Sequence, residues 1–249
     1  MSNRELPVRQ EHELLEKLED AGLGTQEAQA IIESKDNMLA RKVVAYIQRG
    51  GYDPSTNQKR AKEIMGENYL GPEDAMKHFG VSFTDKELVQ LREIPFTEAE
   101  LEACKKTHIL FAGYPLSILD IRNKAKHLFY NQGWYDNQAF AKNEKVNLQW
   151  YLIRKDEVPS STSKTWQQQQ SLLTDNETTP RASEVIYMVM LYCLVIGKRL
   201  FGNMYVRCSD LGSGGRRVYV GYFDSGGLYV FSGSGDCCGG YLGLVAARK

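Results

Sequence analysis

The 249-residue sequence has no excess of either charge: 31 Lys and Arg balance 31 Asp and Glu. That excludes the global basic footprint of a general nucleic-acid binder and leaves room only for a local patch. There is no long apolar run. The best candidate, Val185 to Ile196, is shorter than the roughly 18–20 residues of a membrane span and carries two Tyr and a Cys. Met1 to Glu19 is charged throughout and lacks the apolar centre of a secretory signal. The five cysteines are odd in number and include no CxxC pair, which argues against a disulfide scaffold or a zinc ribbon. Neither GxxxxGK[ST] nor GxGxxG occurs, so the common phosphate-cradling loops are excluded. Together these absences predict a cytoplasmic protein with no cofactor and no metal. What is present, 42% hydrophobic residues with 10% aromatics, is enough to bury a core.

The chain changes character near residue 106. Residues 1–106 hold 15 Lys and Arg against 20 Asp and Glu, whereas residues 107–249 hold 16 against 11. Six aromatics (Tyr46, Tyr52, Tyr69, Phe79, Phe83 and Phe96) fall before the divide, and the other 20, with every Trp, fall after it. The shift predicts two domains, 1–106 and 107–249.

The first reads as short helices. Leu14, Leu15 and Leu18 form an apolar stripe, Thr25 is placed to cap a helix through Ala28, Ile31 and Ile32, and a third helix spans Met38 to Gln48. Gly50-Gly51 is expected to stop it, with a turn to Pro54. Thr84 with Glu87 and Thr97 with Glu100 are capping boxes. The second domain opens on a buried strand, Thr107 to Gly113, followed by helix-like spacing from Leu116 to Phe129 and a strand at Trp150 to Arg154. Ser163 is expected to cap a helix from Trp166 to Leu173, and Pro180 to start a long buried helix from Arg181 to Phe201. The period then changes to two. Met204 to Cys208, Arg217 to Phe223 and Leu228 to Phe231 predict successive antiparallel strands, and Leu242 to Ala247 a closing one. The order is that of an α+β fold.

The most unusual stretch is Phe231-Ser-Gly-Ser-Gly-Asp-Cys-Cys-Gly-Gly-Tyr241, between two strands. Glycine alone accounts for a hairpin loop there. Small adaptable residues beside Tyr are also what recognition loops use, because Tyr supplies contact area at low entropic cost. Adjacent Cys237 and Cys238 are poorly placed to share one tetrahedral metal. A thiol nucleophile would need a base, and only His108, in an apolar strand, and His127 are available in this domain. Asp156-Glu157 and the Asp175/Glu177 pair read as solvated acids. Arg41, Lys42, Arg49, Lys59, Arg60 and Lys62 are interleaved with Glu33, Asp36, Asp53, Glu63 and Glu67, which predicts a mixed solvated face and does not favour nucleic acid.

The order Tyr205-Val-Arg-Cys-Ser-Asp210, Arg217-Val-Tyr-Val-Gly-Tyr-Phe-Asp224, Gly227-Leu-Tyr-Val230, a loop, and Leu242-Gly-Leu-Val-Ala-Ala-Arg248 resembles the end of a C-type-lectin-like domain. The type is that shared by formylglycine-generating enzymes and the variable proteins of diversity-generating retroelements. Asp156-Glu-Val-Pro159, the helix at Trp166 and the long helix after Pro180 follow the same order. Tyr114-Pro-Leu-Ser-Ile-Leu-Asp-Ile121 and Trp134-Tyr-Asp-Asn-Gln-Ala-Phe140 look like phrases of bacterial proteins without established function. The resemblance covers residues 107–249. It implies a helical N-terminal domain followed by a C-type-lectin-like domain, with a C-terminal antiparallel strand meander displaying changeable residues. It also implies a non-enzymatic protein that binds an unknown protein or other macromolecular ligand. In such proteins adenine-directed mutation tends to yield Asn, Tyr, Ser, Asp, Gly, Cys and Phe, and residues 231–241 hold only Phe, Ser, Gly, Asp, Cys and Tyr. The implied ligand-binding surface is Tyr222, Phe231, Ser232, Ser234, Asp236, Cys237, Cys238 and Tyr241, with Tyr219 and Tyr229 supporting it or packing inward. Two alternatives stand beside it: a nucleic-acid-associated regulator using the N-terminal helices, and a thiol or copper oxidase pairing Cys208 with Cys237 or Cys238.

Overall fold

The computed structural model describes residues 8–48 and 55–249, and the chain divides into two compact units, Met1–Pro54 and Ser55–Lys249. The first unit holds helices α1 (Val8–Asp20), α2 (Thr25–Ile32) and α3 (Met38–Gln48). The leucine stripe forms on α1 as its spacing predicts, and Leu14, Leu15 and Leu18 remain 37% to 53% exposed. Gly24, one residue ahead of Thr25, is the N-cap of α2, and its N–H donates to Glu27 Oε2 at 3.0 Å. Gly50, Gly51 and the expected turn lie outside the described residues, as does Arg49.

The second unit runs β1 (Thr56–Asn57), α4 (Gln58–Met65), β2 (Tyr69–Leu70), α5 (Pro72–Phe79), α6 (Asp85–Gln90), β3 (Glu93–Ile94), α7 (Glu98–Cys104), β4 (His108–Ala112), α8 (Ile118–Lys124), α9 (Ala139–Lys142), β5 (Trp150–Arg154), α10 (Trp166–Gln170), β6 (Glu177–Thr178), α11 (Ala182–Ile196), β7 (Tyr205–Leu211), β8 (Arg217–Asp224), β9 (Gly227–Gly233), β10 (Leu242–Leu244) and β11 (Ala247–Arg248). With 41% helix and 21% strand the protein is mixed α+β. Both expected capping boxes form: Thr84 and Thr97 accept from the N–H groups of Glu87 and Glu100, whose carboxylates reach back.

One sheet has the order β2-β4-β5-β11-β6. Its centre is the antiparallel β4–β5 pair, with Leu110 opposite Leu152. Alternation sends Ile109, Phe111, Tyr151 and Ile153 into the main core and Leu110, Ala112, Trp150 and Leu152 into a second one. Both faces are covered, which is why these strands read as continuous apolar runs.

That second core corrects the domain boundary expected after Lys106. Ala61, Ile64, Leu91, Ile94, Phe96 and Leu101 cover the second face of β4 and β5, Tyr69–Leu70 pairs in parallel with Leu110–Phe111, and Trp150 Nε1 donates to the Leu91 carbonyl at 2.8 Å. Residues 55–106 therefore belong to the same unit as the meander, and they carry three short strands among their helices.

The second sheet has the order β10-β7-β8-β9. The β7–β8–β9 meander is antiparallel as its period predicts. The closing strand splits in two: Leu242–Leu244 lies parallel to β7, and Ala247 crosses to the first sheet between Ile153 and Thr178. The inner face of the meander, Val206, Cys208, Val218, Val220, Leu228 and Val230, shares the main core with α11, whose residues Ala182 to Tyr192 are all buried. An apolar helix of this kind has no polar side to expose. The helix ends at Ile196, five residues before the expected Phe201, because Gly197 at φ 78° is a left-handed residue that stops helical propagation. No helix among the described residues is long and apolar enough to cross a membrane.

Candidate functional site: an aromatic face on the second sheet

The outer face of the meander carries rings. Register places Tyr205, Gly221 and Tyr229 in one row and Arg207, Tyr219 and Phe231 in the next. Tyr205 meets Tyr219 at 5.2 Å between centroids, Tyr219 meets Phe231 at 5.6 Å, and Tyr222 meets Tyr205 at 4.7 Å. Tyr241, from the loop after β9, closes on Tyr222 at 6.5 Å. Tyr130, from the segment along the β9 edge, stacks on Tyr229 at 4.0 Å with an 18° interplanar angle. Each such pair contributes about 0.5–1.5 kcal/mol beyond its buried area. Burial, reinforced by Tyr219, Tyr222, Tyr229 and Tyr241, pushes the Tyr205 hydroxyl up to about 12. It stays a neutral phenol at ordinary pH.

A β-bulge puts Tyr222 on this face. Strict alternation after buried Val218 and Val220 would send residue 222 inward. Instead Tyr222 adopts φ 47°, its N–H donates to the Met204 carbonyl at 2.9 Å, and pairing shifts between Gly221 and Asp224. Phe223 takes the inward place at 1% exposure. A left-handed non-glycine residue costs about 1–2 kcal/mol, offset here by the ring contacts of Tyr222. Only glycine fits at 221, because a Cβ there would lie 2.0 Å from the Met204 carbonyl oxygen.

Arg207 folds the 231–241 loop across the rest of the face. It is fully buried. Nη1 donates to the Lys164 carbonyl at 3.0 Å and to Gln169 Oε1 at 2.8 Å, and Nη2 donates to the carbonyls of Gly235 and Cys237. Burial lowers the pKa of the guanidinium, opposed by Cys237 and Tyr219. The Ser163 and Trp166 N–H groups donate to the Gly239 and Gly235 carbonyls at 3.3 and 2.8 Å. The loop is thus anchored by its backbone, with side chains free to face solvent, an arrangement suited to display.

The expected surface residues are distributed as follows. Phe231 and Tyr241 are 51% and 49% exposed. Ser234, Asp236 and Cys238 are exposed, and Tyr222 and Cys237 are half-buried. Ser232 is the exception: it lies opposite Val218, in the inward phase of the strand, and does not join the aromatic face. Tyr229 is half-buried and belongs to the partly exposed cluster, whereas Tyr219 is buried beneath it. Tyr205, Asp224, Tyr130, Arg207 and Gln169 were not expected. Period two along each strand carries the signal for Tyr205 and Tyr229, but only the hairpin register reveals that they flank one glycine.

The residues considered for chemistry do not assemble into a catalytic group. Cys208 faces the core, where burial and Asp210 raise its thiol well above the ordinary value. Its neighbour Arg207 points the other way, to the loop of Cys237 and Cys238, so the sheet lies between Cys208 and that pair. His108 is buried against Thr107 Oγ1 at 2.8 Å. Glu177 accepts from Thr174 N–H and Oγ1, and the Gly212–Gly215 segment is the turn between β7 and β8. Arg60 pairs with Glu98 at 2.9 Å and Glu63 at 3.3 Å, and Lys62 with Glu73 at 3.6 Å, so those charges are offset locally. Among the described residues no group of three His, Cys, Asp or Glu is placed to hold a metal ion. The chain matches no family model, no curated protein and no solved structure.

Proposed function

We propose that this protein is a non-enzymatic binder whose recognition surface is the outer face of the meander with the 231–241 loop. One observation carries the reading: half-buried Tyr205, Tyr222 and Tyr229 and exposed Phe231 and Tyr241 form a partly exposed aromatic cluster on a sheet whose adjoining loop is clamped by buried Arg207. Aromatic anchors on a rigid base are what binding sites use, because little conformational freedom is lost on contact. The fold is proposed to be C-type-lectin-like, supported by the order of strand, helices, meander and returning C-terminal strand. The exposed loop positions are proposed to be diversified by a retroelement, and the ligand to be a protein or other macromolecule.

The test combines the gene and the protein. Sequencing the gene and its flanks in related isolates should reveal a reverse transcriptase and template repeat, with changes at 222, 231, 234, 236, 238 and 241 and none at Arg207 or Gly221. An invariant loop with no such neighbour removes the diversification. Phe231→Ala with Tyr241→Ala should abolish partner capture while the chain stays folded, and unchanged capture of every partner refutes the recognition face.

A further inference from the structure

The aromatic face contains a small pocket of about 230 Å3, lined by Tyr205, Tyr222, Asp224, Tyr229 and Tyr241. Its volume is below the roughly 300–1,000 Å3 of sites that enclose a whole small molecule, so it suits a head group. Its walls are four phenol rings and one carboxylate. The rings are not a collapsed stack: Tyr222 is inclined by 51° to Tyr205 and by 64° to Tyr241. Tyr229 is held by its stack on Tyr130. The Gly221 backbone separates Tyr205 from Tyr229 in the register, and the bulge at Tyr222 supplies a third wall that regular alternation would have turned inward.

From this geometry we propose that the pocket is an aromatic cage for a quaternary ammonium head group. The electron-rich faces of tyrosine attract a cation within about 6 Å of the ring centroid, by about 0.5–1 kcal/mol at exposed sites and about 2 kcal/mol where water is excluded. Asp224, held by the Gly226 N–H at 2.7 Å, supplies the one carboxylate at the rim. Four rings to one acid favours a cation sheathed in methyl groups over a lysine ammonium. The latter is a compact, strongly hydrated charge, and seating it against ring faces strips water that a methyl-sheathed cation does not hold as tightly. The Tyr205 hydroxyl, pushed up to about 12, adds no negative charge near neutral pH. The assignment rests on the recognition face being accessible and names the chemistry taken at its centre.

The experiment titrates the full chain with choline chloride and with 3,3-dimethyl-1-butanol, which has the same shape with carbon in place of nitrogen, following tyrosine ring resonances by NMR. Choline should bind at least tenfold more tightly than the alcohol. Tyr222→Leu and Asp224→Asn should each weaken choline at least fivefold, Asp224→Asn with the melting temperature held, and Tyr222→Phe, which keeps the ring, should bind as the parent does. A trimethyllysine peptide and its unmodified lysine counterpart then separate a protein-borne head group from a free one. Equal affinity for the alcohol, or no response to any of the quaternary probes, overturns the cage. If Phe231→Ala with Tyr241→Ala still abolishes partner capture in that case, the recognition face stands and only the cation assignment falls.

Discussion

Arg207 Nη1 donates to Gln169 Oε1 across 2.8 Å, and both side chains are fully buried. Gln169 in turn donates to the Ser161 and Leu242 carbonyls at 2.7 and 3.2 Å. One amide thus ties α10, the 161 loop, β7 and the return of the display loop into a single polar network. Removing Arg207 strips donors from the Lys164, Gly235 and Cys237 carbonyls. An unsatisfied buried acceptor costs about 1–3 kcal/mol. We expect Arg207→Met to lower unfolding free energy by about 2–4 kcal/mol and to raise amide exchange across residues 234–240. Arg207→Lys should not rescue it, since an ammonium lacks the planar fork that serves several carbonyls at once. Unchanged exchange in that loop would show that Arg207 does not hold it.

Gly221→Ala should separate the bulge from the rest of the sheet. Its Cβ would meet the Met204 carbonyl oxygen at 2.0 Å and the Tyr205 Cα at 2.7 Å, both backbone atoms that cannot move independently. A loss of about 2–4 kcal/mol is expected in denaturant unfolding. Tyrosine ring resonances of Tyr205 and Tyr222 should shift together. A variant as stable as the parent would mean that β7 and β8 are not held at this spacing.

Period two made the meander legible in the sequence, and paired Thr/Glu spacings made both capping boxes legible. The domain boundary was not, because Tyr69–Leu70 is a two-residue strand without a periodic signal, and its pairing with β4 is a long-range choice. The composition shift at residue 106 is real, but it reflects which residues coat the β4–β5 pair rather than where the chain divides. Arg207 reads as one polar residue in an alternating strand. Its burial depends on a loop some thirty residues onward folding back over it. The glycines of 231–241 suggest freedom, whereas backbone hydrogen bonds to Ser163, Trp166 and Arg207 anchor the segment. Tyr222 was expected at the surface, yet a left-handed tyrosine after glycine has no periodic signature. Thr165 caps α10 in place of Ser163, whose own φ is 55°.

His108 sets an acid sensitivity. Burial, with a further contribution from the Arg154 guanidinium, lowers its pKa to about 4, against about 6.5 unfolded. The unfolded chain therefore binds this proton more readily. The stabilisation is complete above about pH 6.5 and is lost progressively as pH falls toward 4, by at most about 3 kcal/mol. Between pH 7 and pH 5, His108→Gln should show a shallower decline in unfolding free energy than the parent. Parallel curves for the two proteins would remove His108 as the cause.

Asp210 caps α11, the longest helix among the described residues, from a distance. Its Oδ2 accepts the Ala182 N–H at 2.5 Å, at the first turn of α11, where Arg181 provides no side-chain cap. Asp210 sits on β7 and so joins the meander to the helix behind it. Burial raises its pKa, the largest influence, while the Ala182 N–H and Arg181 pull it down. A carboxyl raised on folding contributes most below its unfolded pKa of about 3.9, and the contribution is lost as pH rises through the folded value. Two substitutions then diverge. Asp210→Ala leaves the helix N–H unpaired and should cost about 1–2 kcal/mol at pH 7. Asp210→Asn keeps an acceptor and removes the buried charge, so it should match or exceed the parent at pH 7 and lose that advantage at pH 4. If Asn proves as costly as Ala at pH 7, the charge itself holds α11 and burial is not the dominant influence on Asp210.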